Sequence, residues 1–120
     1  MRLLFVCVGN TCRSQMAEAL ARHYGHEAES AGTHPGSTVA PNSLSVLEEL
    51  GVSTQGLRPK SVDDIETEGW DMIISMGCGV ECPALPIAAD WGLEDPVGLP
   101  IDVYRSTRDT IIENLQRLSA

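Results

Sequence analysis

Five residues separate Cys7 from Arg13 in Cys7-Val8-Gly9-Asn10-Thr11-Cys12-Arg13-Ser14, a stretch that pairs a soft nucleophile with a guanidinium. That spacing lets the chain curl into a cup, with amides turned inward, the thiol at the base and the guanidinium on the rim. Helix-forming residues follow at once, from Gln15 to Ala21. Amides at a helix start carry partial positive charge and attract oxyanions. The same field, with Arg13, is expected to lower the pKa of Cys7 and hold it as the nucleophilic thiolate. Gly9 and Asn10 suit unusual backbone angles, Asn10 is expected to brace the loop, and Ser14 is placed to donate to the sulfur. The chemistry this predicts is attack by Cys7 on a tetrahedral oxyanion bound by residues 8–14. A cysteine after Leu3-Leu4-Phe5-Val6 could instead be a small core residue. The strand before it and the helix after it favour the catalytic reading.

Three more cysteines, Cys12, Cys78 and Cys82, complete the set. No secretion signal is evident at the start of the chain, and two close pairs then suggest redox or metal chemistry more than a disulfide framework. Zinc is disfavoured because Cys7 sits in an oxyanion loop whose Arg13 would repel a cation. No metal is expected.

The elements that must position these residues alternate. Leu3 to Val6 reads as a buried strand, and Met16, Ala17, Leu20, Ala21 and Tyr24 recur at helical spacing before Gly25. Glu27 to Gly32 is a second strand by position more than by composition. Pro41-Asn42-Ser43 can start a helix with Leu44, Leu47 and Leu50 on one face and Gly51 at its end. Ser61 to Ile65 suggests a short capped helix, and Trp70 to Met76 a buried strand. Pro86 would confine a fourth strand within Leu85 to Trp91 to an edge, or itself to that strand's start. A last helix from about Asp102 is expected to bury Val103, Ile111, Leu115 and Leu118. Strands alternating with helices imply a single α/β domain over residues 1–120, a three-layer sandwich around a four-stranded parallel sheet. In such sheets the site lies at the carboxyl ends of the strands. Cys7, Cys78 and Asp95 each follow a strand and are expected to converge there.

The chain has 120 residues and a net charge of −9, with five acids and five bases in residues 1–60 and twelve acids against three bases thereafter. An acidic chain lacks the basic footprint of a nucleic-acid binder. Any anion site must work through local donors. No apolar run approaches the ~20 residues of a membrane span, so a cytosolic protein is expected, and with no large exposed apolar face readable a monomer is expected.

The strand, the C-x5-R-S loop, the helix and the late Asp95-Pro96 together resemble the low-molecular-weight protein tyrosine phosphatase superfamily. In detail they are similar to its arsenate reductase branch. Cys7 to Glu18 follows that branch, whereas the phosphatases usually place proline where Gln15 stands. Ser30-Ala31-Gly32-Thr33, Met76 to Pro83 and Asp90 to Pro96 resemble the later strand, redox loop and acid loop of the reductases.

The resemblance implies a reaction. Arsenate sits on the amides of Val8, Gly9, Asn10, Thr11 and Cys12 and on a bidentate Arg13. Cys7 attacks arsenic while Asp95 protonates the departing oxygen. Cys78 then attacks Cys7, and Cys82 attacks Cys78, leaving a Cys78–Cys82 disulfide for an external thiol reductant, with thioredoxin expected. No tightly bound cofactor is implied. Cys78 and Cys82 stand closer together than in the best-known thioredoxin-coupled reductases. Asn10 and Glu18 match part of a structural potassium site found in some relatives, but its threonine and aspartate have no counterpart around Lys60 and Val62, and no cation is assigned.

A competing reading is a phosphomonoester hydrolase working through a Cys7 phosphocysteine. Phosphatases of this family generally wall the pocket with aromatics after Asp-Pro, where this chain has Val97-Gly98. The Cys78 and Cys82 pair also has no task in hydrolysis. A third reading, a thiol sensor without catalysis, needs no Asp95.

Overall fold

A computed structural model describes residues 1–66, 68–77 and 87–118. The elements run β1 (Arg2–Cys7), α1 (Arg13–His23), β2 (Glu27–Gly32), α2 (Pro41–Glu48), a 3-10 turn (Val62–Asp64), β3 (Met72–Ser75), β4 (Ala89–Asp90) and α3 (Ile101–Leu118). The four strands form one sheet in the order β2-β1-β3-β4, and every pairing is parallel. β4 lies at an edge, one of the two arrangements Pro86 allowed.

Alternation along β1 sends its side chains to two faces. Leu3, Phe5 and Cys7 point into the main core with Met16, Leu20, Val46, Leu47, Ile111 and Leu115 from the three α-helices. Leu4 and Val6 point the other way, to a smaller cluster with Ile73, covered by Val62, Ile65 and Trp70. The three layers are therefore unequal: among the described residues, all three α-helices cover one face, and Val62, Ile65 and Trp70 cover the other.

Two helix faces differ from expectation. α2 stops at Glu48, which leaves Leu50 beyond its end and 46% exposed, so the buried face is Ser43, Val46 and Leu47. α3 turns Tyr104, Thr107, Arg108, Ile111 and Leu115 inward, and Val103 and Leu118 are only half-buried. Arg108 tolerates burial because its Nη1 donates to the Val46 carbonyl at 2.9 Å and to Glu49 Oε1 at 2.8 Å. Ser61 caps the 3-10 turn as expected, its hydroxyl accepting from the Asp63 N–H at 3.1 Å.

The order 2-1-3 makes the gap between β1 and β3 the point where the connections diverge, and ligands of open parallel sheets bind outside the strand ends at such a point. Cys7 ends β1, and Met76 and Gly77 follow β3. That end of the sheet carries the site.

Candidate active site

Between the end of β1 and the first turn of α1 the chain makes one tight loop. Asn10 takes a left-handed conformation there with φ 52°, the single non-glycine residue with positive φ among those described. Asparagine bears this conformation better than most residues because its short polar side chain bonds locally. Those local bonds are present. Asn10 Oδ1 accepts from the Lys60 N–H at 2.9 Å, and Asn10 Nδ2 donates to Ser14 Oγ at 2.7 Å. A backbone N–H can only donate, so Lys60 fixes which end of the amide is oxygen.

That orientation settles the proton on Ser14. Its oxygen accepts from Asn10, which leaves the hydroxyl proton directed at Cys7 Sγ, 2.9 Å away. The Asn10 N–H donates to the same sulfur at 3.0 Å. Two donors on one sulfur favour the thiolate over the thiol. The Asn10 side chain spans the loop, and the Asn10 N–H and Ser14 hydroxyl both face the sulfur.

The loop carbonyls turn outward. Those of Cys7, Val8, Gly9 and Thr11 accept from the N–H groups of Thr33, His34, Gly36 and Ala40 at 2.9–3.1 Å. Among the described residues, Asn10 alone in the 8–13 stretch has its N–H taken by a protein acceptor, the Cys7 sulfur. α1 begins at Arg13 after Cys12, with no side-chain cap on its first turn. The remaining amides and the helix start therefore present donors to the same hollow.

Gly32 is what allows the loop to lie so close to β2. A Cβ there would stand 2.4 Å from the Val8 carbonyl oxygen and 3.0 Å from Asn10 Cβ.

Arg13 is 5% exposed, so the guanidinium forms a wall of the cup where an open rim position was expected. Its Nη1 donates to the carbonyls of Leu93 at 2.8 Å and Met76 at 3.2 Å, and its Nη2 lies 3.7 Å from Asp95 Oδ2. Asp95 is held from behind, its Oδ1 accepting from the Val97 N–H at 3.1 Å. Cys7, Arg13 and Asp95 line a cavity of about 630 Å³ with Val8, Gly9, Asn10, Thr11, Cys12, Gly77, Leu93, Glu94 and Val97. Ser14 lies beneath it. The expected convergence of Cys7 and Asp95 is met. Cys78 and Cys82 fall outside the described residues.

Two features had no sequence signal beyond their residue types. Cys12, buried, donates to the Tyr104 hydroxyl at 3.8 Å, and burial, with Cys12 and Asp95 nearby, pushes that phenol up to about 12. Glu18 is fully buried, and its Oε1 receives Lys60 Nζ at 3.1 Å and the Ser30 hydroxyl at 2.7 Å. Arg22 Nη1 stands 3.0 Å from the other oxygen. Lysine and arginine side chains meet the charge of Glu18. No cluster of three His, Cys, Asp or Glu side chains able to hold a metal occurs among the described residues.

Residues 2–120 match the family described as low molecular weight phosphotyrosine protein phosphatase. The chain belongs to that family. Within it, the chain is 35% identical over 127 residues to a glutaredoxin arsenate reductase of Synechocystis sp., covering 99% of this chain and 96% of that protein. Among solved structures, an arsenate reductase in the phosphate binding state superposes with a TM-score of 0.89 at 34% identity, covering 98% of this chain and 95% of that one. The YwlE arginine phosphatase from Geobacillus stearothermophilus superposes with a TM-score of 0.83 at 31% identity, covering 98% and 90%. The arsenate-reductase branch read from the loop, strand and acid-loop motifs agrees with the first two. The family fold, a parallel sheet delivering a C-x5-R loop to a helix start, is the one described above.

Proposed function

We propose that this protein is an arsenate reductase. The observation that carries the reading is the Cys7 sulfur, which receives the Asn10 N–H and the Ser14 hydroxyl at the base of a cup lined by amides, Arg13 and Asp95. A cup of this kind fits a small tetrahedral oxyanion. The lining favours an inorganic one, since the described cavity wall contains no aromatic side chain to stack on an aryl group.

In the proposed reaction, arsenate takes the loop amides and Arg13 as donors. Cys7 Sγ forms a bond to arsenic, and one arsenic–oxygen bond breaks as water leaves, protonated by Asp95. The Cys78 thiolate attacks Cys7 Sγ. The sulfur–arsenic bond breaks with its electron pair going to arsenic, arsenic(V) becomes arsenic(III), and arsenite leaves behind a Cys7–Cys78 disulfide. Cys82 displaces Cys7 from Cys78, so Cys7 returns as thiolate and the oxidised pair is Cys78–Cys82. An external dithiol of the thioredoxin or glutaredoxin class then reduces that pair. Thioredoxin was the donor expected from the sequence; the name of the Synechocystis relative makes glutaredoxin an equal candidate.

Hydrolysis through a Cys7 phosphocysteine is the second reading, favoured by the likeness to an arginine phosphatase. It uses Cys7, Arg13 and Asp95 and leaves Cys78 and Cys82 idle.

One assay separates them. Purified protein is mixed with arsenate, NADPH and either thioredoxin with its reductase or glutaredoxin with glutathione and its reductase. NADPH consumption is followed for wild type and Cys82→Ser. Arsenate-dependent consumption by wild type, lost in Cys82→Ser, is the expected result. Absence of consumption with both donors, alongside efficient phosphoester hydrolysis, would overturn the reductase reading.

A further inference from the structure

Gln15 is fully buried on the first turn of α1, directly behind the cup. Its Nε2 donates to the Asn10 carbonyl at 2.9 Å, to Asn10 Oδ1 at 3.1 Å and to the Arg58 carbonyl at 2.7 Å. An amide nitrogen carries two protons, so one of them is shared between the two Asn10 oxygens. The opposite end, Oε1, is buried with no hydrogen-bond partner among the described residues. Turning the amide over would set an oxygen against three oxygens, so the surroundings dictate this orientation.

The loop carbonyls show why the position matters. Those of Cys7, Val8, Gly9 and Thr11 are held outward by backbone N–H groups of residues 33–40. Asn10 is the exception: a side chain, Gln15, takes its carbonyl. Asn10 is also the left-handed residue whose N–H points at the Cys7 sulfur. A peptide plane turns as a unit. Rotation of the Asn10 carbonyl toward the cup would place an acceptor where an anion must sit and would swing the Thr11 N–H, which shares its peptide plane, out of the cup.

We propose that Gln15 is a positioning residue for Cys7. It completes the outward set of carbonyls, ties Asn10 to the Arg58 segment, and so keeps the Asn10 N–H and, through Oδ1 and Nδ2, the Ser14 hydroxyl on the sulfur. The role rests on Cys7 being the nucleophile, and it serves a reductase or a hydrolase equally.

The test uses the whole protein and needs no turnover. Alkylation of Cys7 by iodoacetamide is followed against pH, with the Cys7 peptide quantified by mass spectrometry. Protection of Cys7 by inorganic phosphate is measured in parallel. Gln15→Met keeps the volume and removes both donors. Gln15→Glu adds a negative charge facing the three acceptors. Gln15→Glu is expected to raise the alkylation midpoint by on the order of one pH unit. Gln15→Met should raise it less, in the same direction, and both should raise the phosphate concentration for half protection on the order of fivefold. If both variants keep the wild-type midpoint and phosphate protection and lose only melting temperature, Gln15 is a packing residue and the proposal fails. It fails too if Gln15→Glu shifts the midpoint while Gln15→Met leaves it unchanged, because charge alone would then explain the effect. Should Gln15→Glu not fold, Gln15→Met decides alone. A wild type that alkylates at low pH but reduces no arsenate would sink the reductase reading and leave this role standing.

Discussion

The Asp95 carboxylate stands 3.7 Å from a guanidinium nitrogen of Arg13 on the wall of the cup that holds Cys7. The two are not equals. Arg13 is committed to the carbonyls of Leu93 and Met76 and is 6% exposed at its side chain, while Asp95 is 55% exposed. The arginine is fixed and the carboxylate is free to meet a ligand's oxygen. Asp95→Asn keeps the shape and the Val97 contact but cannot give a proton. It is expected to lower turnover about 10²-fold or more while phosphate still protects Cys7 from alkylation. Turnover within a few-fold of wild type would remove Asp95 from the chemistry.

Gly32 joins the sheet to the loop. A methyl group there meets the Val8 carbonyl oxygen at 2.4 Å, which is backbone and cannot swing aside. Gly32→Ala should therefore displace residues 8–10, costing about 1–3 kcal/mol of stability and weakening phosphate protection of Cys7. Thermal melting and the alkylation assay check both. A variant with wild-type phosphate affinity would mean the loop yields without consequence for the anion.

What the sequence made legible was local. A strand, a C-x5-R loop and a helix start are contiguous, so the positions of Cys7, Asn10 and Ser14 follow from short-range rules. Tertiary contacts decided the rest. Lys60 meets Glu18 across 42 positions of sequence, and no pattern in either neighbourhood announces the pair. α3 buries Arg108 because Glu49 and the Val46 carbonyl happen to face it, which moves the apolar stripe from Val103 to Tyr104. The guanidinium of Arg13 was placed on the rim because the carbonyls that draw it into the wall, from Met76 and Leu93, lie 63 and 80 residues away.

Lys60 bridges the loop and α1, with its N–H on Asn10 and its ammonium on Glu18. Glu18 is fully buried, so removing the ammonium leaves a carboxylate matched only by Arg22 and the Ser30 hydroxyl. Lys60→Met is expected to cost about 1–3 kcal/mol. The double variant Lys60→Met, Glu18→Met should recover most of that loss, because no buried charge remains. Urea unfolding of wild type, Lys60→Met, Glu18→Met and the double variant gives the coupling. A Lys60→Met variant as stable as wild type would show that the contact between Lys60 and Glu18 contributes nothing.

Glu49 links α2 to α3 at the far end of the core. Hydrogen bonds from Arg105, at 2.7 Å and 3.1 Å, hold its carboxyl below the usual value of 4.5, with Arg108 adding to the effect. The native state thus binds this proton less readily than the unfolded chain does. The stabilisation is complete above the unfolded value and disappears as pH falls through the lower folded value. Wild type should melt slightly above Glu49→Gln at neutral pH, with the gap closing as the pH drops below 4.5. The carboxylate is on the surface, so added salt should narrow the gap as well. Melting curves across an acid series read it directly. A gap that persists unchanged into strong acid would mean that the substitution acts through packing, and that the charge contacts with Arg105 and Arg108 contribute nothing.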